Sequence, residues 1–318
     1  MTDFSKQKWV RAGWQGLTFE LPEEWNIGAI GGEKTQGYLR FDDSDMPRME
    51  VKWADAGKSF IDIPGLVDKY LKDLQKGKKK DRPEVLRDIK LVSKRKLRGK
   101  KGLETFAWKS ETQGFGAAWY CPDCHRTVII QVMGRLDEPV QELAERVILG
   151  SEDHTVGDWA YWSAYGFGFE APADFILSGQ KLMAGLIEVA LSREGERLTA
   201  ARWGMANIVL KRTSLEEWGK KELAKRIKKF TTEFSTETYR GHEAIVITGR
   251  SNLPQDKIQA FVQHVRGKDF PDRVRAILWH CEEDNKLFYV EGIMDREHVG
   301  LVDETAGRIV CHGGDTDV

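Results

Sequence analysis

Four cysteines in 318 residues are too few for a disulfide framework, and nothing else in the chain marks an oxidising compartment. No apolar run approaches the roughly 20 residues that span a bilayer. The opening stretch Met1-Thr2-Asp3-Phe4-Ser5-Lys6-Gln7-Lys8-Trp9 has neither the apolar core nor the small-residue cleavage site of a signal peptide, so a cytoplasmic location is expected. With 49 Lys and Arg against 50 Asp and Glu, the net charge of −1 gives no overall pull toward nucleic acid. Catalytic signatures are missing as well. The chain has no G-x-S-x-G, no Gly-rich phosphate loop ending in Lys-Ser or Lys-Thr, and no H-E-x-x-H, while Gly31-Gly32 lacks the spacing of a dinucleotide fingerprint. His242 and Glu243 adjoin on an expected strand, where neighbours point to opposite faces and cannot form one dyad.

What the chain does contain, it contains twice. Leu17-Thr18-Phe19-Glu20-Leu21-Pro22-Glu23-Glu24-Trp25 returns about 150 positions later as Phe167-Gly168-Phe169-Glu170-Ala171-Pro172-Ala173-Asp174-Phe175. Lys52-Trp53 matches Arg202-Trp203, the segment from Arg98 to Leu103 matches Arg240 to Ile245, and Trp119-Tyr120-Cys121 matches Trp279-His280-Cys281. Four collinear matches mean duplication of a domain of about 150 residues rather than a short solenoid repeat. The expected domains are 1–153 and 154–318, the second carrying an insertion near 252–271 that the first lacks.

Within the first half, alternation predicts strands at Leu17–Leu21, Gly37–Asp42, Met49–Ala54, Val85–Leu97, Gly102–Lys109, Gly116–Tyr120 and Thr127–Val132. Ile63, Leu66, Val67, Tyr70, Leu71 and Leu74 recur at helical spacing, and a second helix starts near Pro139. The second half repeats that order, with Ser214 and Glu217 spelling a capping box ahead of a helix that runs to Phe230. The fold class that follows is α+β: two tandem homologous domains, each an antiparallel β-sheet flanked by α-helices.

This order, opened by an F-x-x-P-x-x-W-like element at Phe19, Pro22 and Trp25 and again at Phe169, Pro172 and Phe175, resembles the PsbP-like superfamily with its Mog-type and DcrB-like members. Gly241-His242-Glu243-Ala244 adds the Gly-x-x-Ala that opens a central strand in such domains. The resemblance implies a sheet flanked by helices and a domain that binds other proteins or assists assembly rather than catalysing.

The sharpest local signal is Cys121-Pro122-Asp123-Cys124-His125, whose C-P-x-C turn can bring two thiolates to one zinc ion. A structural site needs two further ligands, for which Cys281, Cys311, His125, His154, His280 and His312 are available. Cys281 stands where Cys121 stands, in the other hairpin, and Asp284 replaces Cys124, so the second half has lost the pair. Cys121 and Cys124 could instead serve as a redox dithiol, which needs a lowered thiol pKa, or be two incidental turn residues.

Between Lys76 and Lys101 thirteen basic residues face three acidic ones, a local net of +10. On a strand, Lys94, Lys96 and Arg98 would form a positive ridge able to contact phosphates or an acidic protein, or would simply protect a sheet edge. Eleven tryptophans are available to fill cores, and Trp159 and Trp162, in the bridge between halves, could line an interface. The reading that follows is a non-enzymatic protein-binding or assembly module without a cofactor. Its alternatives are a zinc or thiol-redox protein centred on Cys121 and Cys124, and a non-specific nucleic-acid binder using residues 76–101.

Overall fold

A computed structural model describes residues 7–57, 61–76, 82–93, 95–97, 99–252 and 271–312. The chain divides into two compact units, Met1–Gly166 and Phe167–Val318, so the boundary falls later than residue 153.

The first unit opens with a hairpin of β1 (Trp9–Trp14) and β2 (Leu17–Pro22). Gln15 and Gly16 both take positive φ, the geometry of a tight two-residue hairpin turn. A seven-stranded antiparallel sheet follows, built from β3 (Asn26–Gly32), β4 (Gln36–Asp42), β5 (Pro47–Asp55), β6 (Glu84–Arg87), β7 (Lys101–Lys109), β8 (Thr112–Tyr120) and β9 (Arg126–Arg135). Its spatial order is β3-β4-β5-β9-β8-β7-β6. Helix α1 (Ile63–Leu74) is capped by Asp62, whose side chain accepts from the Gly65 amide, and carries Pro in its first turn. It lays Ile63, Val67, Tyr70 and Leu71 against Phe106, Ala118 and Ile129. Helix α2 (Val140–Leu149) buries Val140, Leu143, Ala144, Val147 and Ile148 against β8, β9 and β2. Burying a side chain of this size stabilises by roughly 1.5–3 kcal/mol, so each helix is held by packing more than by its own propensity. Strand β10 (Trp159–Ala164) completes the unit and lies beside β1.

The second unit has the same plan. After β11 (Phe167–Pro172) come β12 (Ile176–Met183), β13 (Leu186–Arg193), β14 (Glu196–Gly204), the short α3 (Ala206–Val209), α4 (Leu215–Ile227), β15 (Phe230–Tyr239), β16 (His242–Ser251), β17 (Arg273–Cys281), β18 (Lys286–Met294) and α5 (Leu301–Gly307). The sheet order β12-β13-β14-β18-β17-β16-β15 reproduces the first one position for position. The expected capping box is present, with Ser214 accepting from the Glu217 amide and Glu217 reaching back to the Ser214 amide. Phe230, expected to end that helix, starts β15 instead.

Two similar domains are therefore observed, but they are mostly β rather than α+β: two seven-stranded sheets carry few helices. The sequence pattern under-counts strands because β3, β12 and β15 are edge strands in which hardly any residue is buried, so no alternation of apolar and polar residues marks them. The expected strand Val85–Leu97 ends at Arg87. One of the four repeat matches is out by a residue. Trp53 stands opposite Val128, which stands opposite Trp119; in the second unit Trp279 stands opposite Phe288, which stands opposite Arg202. The counterpart of Trp53 is thus Arg202, and Trp203 faces the other side of its sheet, because a one-residue slip in a strand reverses the face. Among the described residues no helix is long and apolar enough to cross a membrane. Most of the 252–271 insertion lies outside the described residues.

Candidate metal centres

Each unit gathers thiols and imidazoles at one end of its sheet. In the first, β8 runs straight into Cys121, whose amide donates to the Arg126 carbonyl at 2.8 Å and closes the C-P-D-C-H turn before β9. The turn brings Cys124 beside Cys121. The loop after α2 then returns Asp153 and His154 to the same place, with Cys121 Sγ 3.5 Å from His154 Nδ1 and Cys124 Sγ 3.9 Å from the Asp153 carbonyl. One ligand atom from each of Cys121, Cys124, Asp153 and His154 lies within 4.8 Å of the other three. Zinc bonds of 2.0–2.3 Å in a tetrahedron place ligand atoms about 3.6 Å apart, so the cluster has the dimensions of such a site.

Asp153 is fully buried and heavily partnered. Its Oδ1 meets His154 Nδ1 at 2.7 Å, while Oδ2 accepts from Trp119 Nε1 at 2.7 Å and pairs with Lys100 Nζ at 2.6 Å. Burial works against its charge, but the hydrogen bonds from Lys100 and Trp119 outweigh it and hold the carboxyl below the usual range. His125 turns aside and pairs with the Tyr120 hydroxyl at 2.8 Å.

In the second unit β17 ends on Cys281 and β16 starts on His242, after the tight Arg240-Gly241 turn with both residues at positive φ. Cys311 and His312 follow α5. Cys281 Sγ is 3.2 Å from His312 Nδ1, and Cys311 Sγ is 3.5 Å from His242 Nε2. The two imidazoles meet edge to face at 4.8 Å. Again the four ligand atoms lie within 4.8 Å of one another. Asp284 caps this cluster rather than joining it, accepting from the His312 amide at 3.0 Å.

Sheet register makes the two clusters comparable residue by residue. Lys101 stands opposite Tyr120, and Ala244 stands opposite Trp279. Since Tyr120 and His280 follow the equivalent tryptophans, Lys101 corresponds to Glu243 and Lys100 to His242. Leu149 to Asp153 and Gly307 to Cys311 are the same four steps past the end of the closing helix. The Cys121, Cys124, Lys100, Asp153 and His154 positions of the first unit thus hold Cys281, Asp284, His242, Cys311 and His312 in the second.

All four cysteines are free thiols. Burial pushes the Cys124 thiol up to about 12, reinforced by Asp153 and Cys121. Burial likewise raises Cys281, with Cys311 adding to it. Burial and the neighbouring His312 lower His242, which favours the neutral imidazole that a metal takes.

The second half has lost the CxxC pair, as expected, with Asp284 at the position of Cys124; a second thiol, Cys311, reaches Cys281 from a different loop. Cys281 belongs to this cluster and not to that of Cys121. Sequence reading named Cys311, His154 and His312 only as available and gave Asp153 and His242 no role. The signal that could have found them is the Asp-His and Cys-His dipeptides at one offset after each closing helix.

The other expected contacts fare differently. Lys94 and Arg98 lie outside the described residues. Lys96 sits in a turn, not on a strand, and pairs with Glu145 at 2.7 Å. Trp162 is 2% exposed and packs edge to face on Trp14 at 5.5 Å, so it is core and offers no contact surface. Trp159 is half-buried on β10. A cavity of about 780 Å³ lies at α1 and the ends of β4, β5 and β9, lined by Tyr38, Lys52, Lys69 and Tyr70 and by none of the clustered thiols or imidazoles.

No family model matches the chain, and no curated protein matches it. Among solved structures, it is similar to the apo structure of immunity protein TplEi of T6SS from Pseudomonas aeruginosa. That match has 12% identity and a TM-score of 0.37, and covers 98% of this chain and 100% of the other. A second structure of TplEi, complexed with "L" peptide, matches at 12% identity and a TM-score of 0.32, covering 95% and 97%.

Proposed function

We propose that this chain is a non-enzymatic binding module made of two copies of one zinc-organised domain, with Cys121, Cys124, Asp153 and His154 holding one ion and His242, Cys281, Cys311 and His312 the other. The observation that carries the reading is the repetition: two units gather two thiols and at least one imidazole at the same end of the same sheet, using different ligand residues to do so. Each cluster offers four protein ligand atoms within 4.8 Å of one another, the number that would fill the coordination of zinc and leave none of the open position that catalytic zinc keeps. Zinc supplies the positive charge that lets buried thiols ionise, and ties the strand end to the loop after the closing helix. With the coordination filled by protein, the work left to the scaffold is to present a surface to a partner protein.

The test is the zinc content of tag-free protein purified without chelator, by elemental mass spectrometry. A ratio near two is expected, falling to one in Cys281→Ser and in Cys121→Ser. A ratio near zero that added zinc does not raise would end the reading.

A further inference from the structure

We infer that the two centres differ in what their metal does: the second unit depends on its ion for the fold, whereas the first can release and take back a thiophilic divalent cation without unfolding. The inference rests on the zinc reading above and concerns how each of those sites is used.

The argument lies in the pair of equivalent positions 100/153 and 242/311. Both pairs join the start of a central strand to the loop after the closing helix. In the first unit that junction is an ion pair, Lys100 Nζ to Asp153 Oδ2 at 2.6 Å, with the side chains 8% and 0% exposed. Trp119 Nε1 donates to the same oxygen at 2.7 Å, and Arg126 Nη1 donates to the Asp153 carbonyl at 3.3 Å. These contacts place Asp153 and hence His154 with no metal ion involved, so a metal finds its ligands already arranged. Pre-arrangement of this kind also means that losing the ion leaves no buried charge stranded, because Asp153 keeps its ammonium partner.

Among the described residues, the equivalent pair of side chains in the second unit carries no ion pair. His242 and Cys311 meet through a thiol–imidazole contact of 3.5 Å, and a thiol is a weak hydrogen-bonding partner. The loop itself is anchored through its backbone, by Arg240 Nη1 to the Ile309 carbonyl at 2.6 Å and by Asp284 to the His312 amide. Neither contact ties the four ligand side chains together. Each cluster has two buried and two half-buried ligands; in the first the half-buried pair includes a thiol, Cys124, whereas both thiols of the second are buried. The first centre is accordingly the exchangeable site and the second the structural one.

The test uses the full-length zinc-loaded protein and needs no variant. Zinc is withdrawn stepwise with EDTA while zinc content and hydrogen exchange of each unit are followed by mass spectrometry, and Zn²⁺ is then added back. The expected result has two stages. The first ion leaves with β8 and β9 still protected; the second leaves only as β16–β18 and α5 lose protection. Simultaneous loss of both ions with exposure of both units would overturn the contrast, as would an ion-free second unit that stays protected. In Lys100→Gln the first unit should become metal-dependent like the second, losing protection when its ion is removed and regaining it with Zn²⁺. If that variant fails to fold even with zinc, the two-stage result in the unaltered chain decides the matter. A chain that never binds zinc overturns this inference together with the reading on which it rests.

Discussion

Replacing Cys281 by serine tests the second centre at its most buried ligand. The side chain is fully buried, and its Sγ stands 3.2 Å from His312 Nδ1. Serine fits the space, but its hydroxyl does not ionise, so the ion loses one of two thiolates and the charge balance of a Cys₂His₂ site. Structural zinc binds with an apparent 10–16 kcal/mol, so an even share over four ligands is roughly 2.5–4 kcal/mol for each. At about 1.4 kcal/mol per decade, that is a loss of roughly two to three orders of magnitude in affinity. Competition against a chromophoric zinc chelator reads this directly. The unaltered chain should titrate as two ions, and Cys281→Ser should weaken one of them while leaving the other unchanged. If both affinities stayed as they were, the thiol would not be a ligand and the geometric argument would be wrong. If both fell together, the two clusters would not be independent sites.

Other expectations concern the scaffold. In Glu138→Gln, the buried Arg48 loses the carboxylate that it meets at 3.1 Å and keeps only Asp43. Because Arg48 keeps one carboxylate, the loss is that of a charged hydrogen-bonded pair, roughly 1.5–3 kcal/mol, and a urea midpoint unchanged within error would refute that role for the pair. For Asp43, Glu138 and Glu188, burial opposes the charge, but backbone and arginine hydrogen bonds prevail and hold each carboxyl below its ordinary value. Their contribution is present above the unfolded carboxylate pKa of about 4 and lost as pH falls through the lower folded values, so stability should drop on acidification below about pH 4. Equal urea midpoints at neutral and strongly acid pH would contradict this. Glu291 has the reverse sign: burial raises its carboxyl, so its favourable contribution exists below the unfolded pKa and disappears as pH rises through the folded one. Glu291→Gln should therefore stabilise the chain at pH 7 relative to pH 4, and a variant equally destabilised at both would count against it. At Gly37 an added Cβ would lie 2.1 Å from the buried Trp53 ring, so Gly37→Ala should lower the melting temperature by an amount equivalent to roughly 1–3 kcal/mol.

The sequence reveals the duplication because bulky residues recur in order: Phe19, Pro22 and Trp25 build the same turn as Phe169, Pro172 and Phe175. In each, the last amide donates to the proline carbonyl at 3.0 Å. Those residues explain themselves as a strand ending, so the likeness they carry is one of local geometry. Long periodic helices and buried central strands were equally legible. The edge strands were not, since β12 has no buried residue and its apolar residues fall at both ends rather than at every second position. The first centre was half legible, because Cys121 and Cys124 sit in one turn. Its other half, and nearly all of the second centre, are assembled from residues about 30 to 70 positions apart whose meeting depends on register. The slip at Lys52-Trp53 shows the same limit: similar dipeptides matched in spelling, while the pairing across the sheet assigned their faces.

The five equivalent positions also constrain how the halves can be recombined. Converting the first centre to the second one residue at a time passes through states with a partner missing. Lys100→His leaves Asp153 buried without its ammonium, and Asp153→Cys leaves Lys100 buried without its carboxylate. Each is the stranding of one buried charge, costing roughly 3–5 kcal/mol. Positions 100 and 153 therefore behave as a single inherited unit, with the choice of cysteine or aspartate at 124 following them. A chimera that carries all five residues across should fold, while most that divide them should not. The two units share one strand order, yet the side chains at these five positions form two different sets, each complete only as a whole.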